Sequence, residues 1–326
     1  MRTIPARKYV RVMLKGVVWA AGIYLAVLIL YVVNNLIWFD RLIDFGHIRE
    51  KARLRALETR MPSLPLLTNL NEQPLDAVFR RRVRGWVDYF EKAAAVTPYP
   101  EDSFAWQGYC YYLLGQPVNA AGAYQKAVQI NPLYFWFHHG LGMVYYANQQ
   151  YEQAARSFAD ARQPNPYLTL SNMREYITVT PVLILWRWPP LSADEHMQRN
   201  NRLLRQGYAD GNRYLALSQF QSGDYAAVVE TSLQAVQMRD TDKSFFYVLA
   251  GMAAAQMDMF PQALGFLTQG LEEHSHDPRV LSYLERTFRA LGQAEEAEIV
   301  SQRIAQLKPG DKTDILSETA PEMIVF

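Results

Sequence analysis

Chemistry in this chain would have to begin with its histidines and its cysteine. His138 and His139 stand side by side before Gly140, and His274 and His276 lie in the run EEHSHDP. A structural metal ion needs about four ligands converging on one point. Neighbouring helical positions point in different directions, so His138 and His139 cannot easily share one ion, and lining of a core or groove accounts for them better. His274 and His276 would converge only in an extended loop, with Glu272 or Glu273 as a third ligand. The fourth ligand is not in view, and a solvated helix end is the favoured alternative. Cys110 is the only cysteine, which excludes an internal disulfide, a thiolate zinc site and the cysteine pair of a c-type haem attachment. No glycine-rich phosphate loop, nucleophile elbow or HExxH run occurs. The sequence offers no catalytic residues, cofactor site or metal site, and no small-molecule substrate is expected.

Charge narrows the class further. Lys plus Arg (33) nearly balances Asp plus Glu (32), so nothing global favours nucleic acid or an acidic substrate. Half of the residues are hydrophobic, enough for a sizeable core, and aromatics are plentiful at Tyr 20, Phe 15 and Trp 7. Aromatic side chains beyond the needs of a core point to partner surfaces.

The elements that would position such a surface follow from a period of 34 residues, carried by Pro98, Pro132 and Pro166, by Ala93, Ala127 and Ala161, and by Phe90, Tyr124 and Phe158. Gly108 and Gly142, Ala120 and Ala154, and Tyr111 and Tyr145 repeat at the same distance. A fixed period of this length signals a stack of similar structural units. The pattern resembles the tetratricopeptide repeat family: Phe104, Gly108, Tyr111, Ala120, Tyr124, Ala127 and Pro132 supply one unit, and Leu141, Gly142, Tyr145, Ala154, Phe158, Ala161 and Pro166 the next. The resemblance implies an all-α fold, a right-handed superhelical solenoid of helix-turn-helix repeats in which helix A and helix B of each unit pack closely. It implies a scaffold that binds other proteins through the concave face formed by the A helices. On or near that face it places Ala105, Tyr109, Tyr112, Trp136, His139, Met143 and Tyr146, with Tyr109, Tyr112, Trp136 and Tyr146 as exposed aromatic anchors. The Lys and Asn set that clamps acidic C-terminal peptides in some members is missing.

Before the repeats, Gly16 to Phe39 is free of charge and long enough, at about 1.5 Å per residue, to cross a hydrocarbon core of roughly 30 Å. Trp19 and Trp38 suit its two interfaces, and no small-residue cleavage site precedes Asp40, which argues for an anchor over a signal peptide. Arg2, Arg7, Lys8, Arg11 and Lys15 form an acid-free cluster before it, which favours a cytoplasmic N-terminus. The repeats would then lie in the periplasm, on a bacterial inner membrane.

The expected organisation is a basic flank at 1–15, a transmembrane helix at 16–39, a charged stalk and linker at 40–73, and a first repeat block at 74–166 that opens with a capping half-repeat. A non-repeat insertion at 167–208, a second block of three degenerate repeats at 209–309 and a tail at 310–326 follow. The insertion contains TPVLILWRWPPL, in which Trp186 and Trp188 are candidate partner contacts if the segment does not fold back into the groove. Arg279, Arg286 and Arg289 are spaced to form one basic stripe or a plain solvated face. The tail is expected to fray, unless its apolar last residues engage a partner. The functional expectation is a membrane-anchored interaction scaffold, an assembly factor or accessory subunit of a membrane or cell-envelope complex. A permanent structural subunit is the alternative, and an enzyme on a repeat scaffold lacks a polar cluster to support it.

Overall fold

A computed structural model describes residues 14–30, 33, 77–96, 100–162, 193–238, 241–307 and 315–316, without the side chains of 193–206. The described residues fall in two compact units, the helix at 14–30 in one and all other helices in the second. The first helix, α1, covers residues 14–30. Leu14, Val17, Val18, Trp19, Ile23 and Leu30 on it are all exposed. Among the described residues no helix is long and apolar enough to cross a membrane; residues 31–32 and 34–39 of the expected span lie outside them, as does the stalk.

The second unit is a run of helices: α2 (Ala77–Val96), α3 (Pro100–Leu113), α4 (Pro117–Ile130), α5 (Phe135–Ala147), α6 (Tyr151–Ala161), α7 (Ala193–Ser222), α8 (Tyr225–Ala235), α9 (Lys243–Gln256), α10 (Phe260–Gly270), α11 (Pro278–Ala290) and α12 (Ala294–Gln306). No strand occurs among the described residues. Each helix packs on the next. The odd-numbered helices from α3 to α11 also touch one another in succession, whereas the even-numbered ones do not approach to the same degree. The odd helices therefore line the inner side of the stack and correspond to the A helices of the repeats.

Among the described residues, five turns of one kind join A to B. Gly115, Gln149, Gly223, Asp258 and Gly292 all have φ between 58° and 83°. The next residue in each case bonds back to a carbonyl five before it, at 2.9 Å: Gln116 to Tyr111, Gln150 to Tyr145, Asp224 to Gln219, Met259 to Ala254 and Gln293 to Phe288. This is a Schellman closure, which requires one left-handed residue and so favours glycine. Three of the five positions have it. The third turn shows that α7 and α8 form a hairpin of the same kind.

The hairpins close by setting a small residue against a large one. A Cβ on Gly108 would lie 2.7 Å from the Tyr124 ring, one on Gly142 2.8 Å from Phe158, and one on Gly251 2.7 Å from Leu267. In each pair the partner stands 16 residues later. Ala120, Ala127, Ala154 and Ala263 have no exposed surface and let the helices approach within ordinary packing distance. Cys110 is fully buried on α3, and burial pushes its thiol pKa up. Proline at the start of α4, α10 and α11 falls in a first turn, where an N–H has no helical partner to lose.

The boundary expected at 208/209 falls inside α7, which begins at Ala193. The repeat pattern hides that start because the columns of the 34-residue period are not continued between Tyr167 and Gly207.

Candidate functional site

The candidate site is the A side of the array. Counted back from the left-handed turn residue, Trp136, His139, Met143 and Tyr146 on α5 stand at the positions of Asp102, Ala105, Tyr109 and Tyr112 on α3. On α11 these positions hold Arg279, Ser282, Arg286 and Arg289.

The structure corrects the expected exposure of the aromatic anchors. Tyr109 is 7 % exposed, Tyr112 4 %, Trp136 5 %, His139 1 %, Met143 2 % and Tyr146 2 %. Every residue from Phe135 to Tyr146 is buried, the signature of a helix packed on all sides. Part of the cover comes from α7. A Cβ on Gly207 would meet Trp136 at 2.5 Å and Phe135 at 2.9 Å, and one on Gly211 would rest 3.7 Å from His139. Tyr208 lies against Phe135 with ring centroids 4.7 Å apart, and Tyr214 meets Tyr146 at 5.1 Å and Phe158 at 5.8 Å. The aromatic face of α5 is thus a packing surface for the next A helix, in a small-against-large arrangement. Gly207 and Gly211, one helical turn apart, are the residues that sequence reasoning missed. A pair of glycines facing a run as bulky as FWFHH was the available signal.

Electrostatics follow burial. Burial raises the phenol pKa of Tyr112. It does the same for Tyr146, helped by nearby Tyr151 and opposed by Arg213. His139 is lowered to about 4 by burial. Its ring touches those of Phe135, Trp136 and Phe158, and neither ring nitrogen has a hydrogen-bond partner. Asp210 is pushed up to about 6 by burial, against the pull of Arg213. His138 is held by the Pro132 carbonyl oxygen at 2.7 Å.

At the far end the same positions are open. Arg279, Ser282, Arg286 and Arg289 are exposed, but they do not form a plain basic stripe. Arg286 reaches Asp258 at 3.1 Å and Gln256 at 3.3 Å, and Arg289 pairs with Glu285 at 2.6 Å. His274 is buried while His276 is exposed beside Ser275, so this pair is split. No group of three or more possible metal ligands occurs among the described residues. Trp186 and Trp188 lie outside the described residues.

Comparison with known proteins gives one family, the tetratricopeptide repeat, over residues 123–156. No curated protein matches the sequence. Among solved structures, the chain is similar to YrrB, described as a TPR protein with an unusual peptide-binding site, at 14% identity over 70% of this chain and 95% of that one, TM-score 0.47. It is similar to a Cut9–Hcn1 hetero-tetramer of the APC/C at 16% identity, 78% and 50% coverage and TM-score 0.31. The TPR domain of P58(IPK) gives 13%, 71%, 67% and 0.26. The family match takes in Tyr124, Gly142 and Ala154, and a contact of glycine with a bulky side chain recurs outside it at Gly108 and Gly251, so the likeness to tetratricopeptide repeats extends beyond the matched residues.

Proposed function

We propose that this chain is a membrane-tethered scaffold that holds partner proteins on the A side of its repeats, as an assembly factor or accessory subunit of a cell-envelope complex. The observation that carries the binding role is the stack itself. Its A helices converge on an inner side while the B helices spread, the arrangement by which solenoids present extended binding surfaces. Because the aromatic positions of α3 and α5 are packed, the accessible A-side surface lies toward α11.

A photo-crosslinking residue at Ser282 on α11 should trap partners in cells, whereas one at Ile299, on the exposed face of α12, should trap few. Crosslinks confined to Ile299 would place the contact on the B side and reject the proposal. The tether is supported by α1, whose apolar side chains are all exposed, a surface that water alone does not favour. Alkaline washing of membranes should leave the chain in the pellet and release a variant lacking residues 14–33. Release of the intact chain would refute anchoring. The basic cluster from Arg2 to Lys15 supports a cytoplasmic N-terminus and periplasmic repeats, so a reporter active only outside the cytoplasm should work when fused after Phe326.

A further inference from the structure

Beyond α12 the described chain reappears at Ile315 and Leu316. Ile315 lies in a polar stretch, DKTDILSETA, yet none of its surface is exposed. Its backbone N–H donates to Oδ2 of Asp277, a residue that is itself fully buried. The other carboxylate oxygen, Oδ1, caps α11 by accepting from the N–H groups of Arg279 at 2.8 Å and Val280 at 3.3 Å.

Asp242 shows what this carboxylate does elsewhere in the array. It caps α9, the preceding A helix, by accepting from the Phe245 N–H at 3.1 Å. Its Oδ2 faces Arg213 at 3.9 Å, and the residue is exposed. The second oxygen is thus answered by an arginine of the array in one repeat and by the main chain of the tail in the next. A buried carboxylate oxygen without a donor is costly, and a charge-assisted bond to an N–H is among the stronger hydrogen bonds.

We infer that the N-terminal shoulder of α11 is a peptide-binding site for a segment bearing an aliphatic side chain. Asp277 holds the main-chain N–H of that segment, and the side chain is withdrawn from water. The chain's own tail occupies the site through Ile315. Tethering supplies this occupant at high effective concentration, so an outside segment of the same chemistry must displace it. The tail then works as a guard on the open end of the array.

The test uses the full chain and a labelled synthetic peptide of residues 311–320. In the wild type the site is filled, and the peptide should bind weakly. In Ile315→Asp, which cannot seat its own tail, binding should be at least tenfold tighter, and a peptide carrying the same substitution should not bind. Equal affinity for both chains, or none for either, would overturn the proposal. Asp277→Asn guards against misfolding, since asparagine caps a helix as well as aspartate does, while its amide in place of Oδ2 offers no acceptor to the tail. Hydrogen exchange at the Ile315 amide should speed up at least tenfold in this variant, with the α11 amides still protected. Fast exchange at Ile315 in the wild type would show that the tail is not held. Protection that rises with protein concentration would show that a second copy supplies the segment, which contradicts occupation by the chain's own tail.

Discussion

Helices α5 and α11 are both A helices, close with the same left-handed turn and bring the same positions to the same side, but they meet opposite surroundings. On α5 those positions hold Trp136, His139, Met143 and Tyr146, all covered; on α11 they hold Arg279, Ser282, Arg286 and Arg289, all exposed. Position in the repeat sets the direction of a side chain, and the next element laid against it sets whether it meets water. An interior repeat needs apolar residues there because another A helix arrives. Among the described residues no further A helix is laid against α11, and its polar side chains at these positions suit contact with water.

The largest expected effect tests that contrast directly. Trp136→Ala should lower stability by about 3–5 kcal/mol, the cost of removing a large buried ring. Arg279→Ala at the matching position of α11 should stay within about 0.5 kcal/mol. Denaturant unfolding of both variants decides it: equal losses would mean that α11 is as sealed as α5.

A second effect sharpens the account of the α5 interior. His139 is lowered to about 4 by burial, against about 6.5 in an unfolded chain. Between those values the unfolded chain binds a proton that the folded chain excludes, so stability is full above about pH 6.5 and falls as pH drops toward 4. On the order of 2 kcal/mol should be lost between pH 7 and pH 5, and His139→Leu should remove that part of the slope. An unchanged slope in urea midpoints would show that the ring is hydrated.

Smaller effects separate close packing from turn geometry. Gly142→Ala places a methyl 2.8 Å from the buried Phe158 ring and should cost about 1–3 kcal/mol in thermal or urea unfolding, less about 1 kcal/mol regained from helix propensity. The turns allow an exchange between the two helices. Gln149→Gly should relieve the left-handed strain after α5 and stabilise by roughly 0.5–1 kcal/mol, while Gly292→Gln should lose a similar amount after α11. Melting curves that move both variants in one direction would show that the two turns are not equivalent.

The parts of the fold legible in the sequence were those in which one contact recurs at one spacing. Gly108 with Tyr124 and Gly142 with Phe158 are local to a hairpin, so packing writes them into the chain as columns 34 residues apart. The burial of Trp136 and His139 was not legible, because Gly207 and Gly211 reach them from beyond a break in the period. The same break hid the start of α7. Docking of Ile315 was hidden for a related reason: it depends on one unrepeated meeting between a helix cap and a tail. The Schellman turns could be read at Gly115, Gly223 and Gly292, but Gln149 and Asp258 carry the left-handed conformation without glycine to announce it.

Burial of Cys110 has a practical consequence. A lone thiol with no exposed surface and a raised pKa is nearly inert while α3 stays packed, because only the accessible thiolate reacts. Cysteines introduced at surface positions such as Ser282 or Ile299 can therefore carry fluorophores or spin labels without removing the native one. The native thiol then becomes a clock: its slow modification by a thiol reagent reports how often the first hairpin opens.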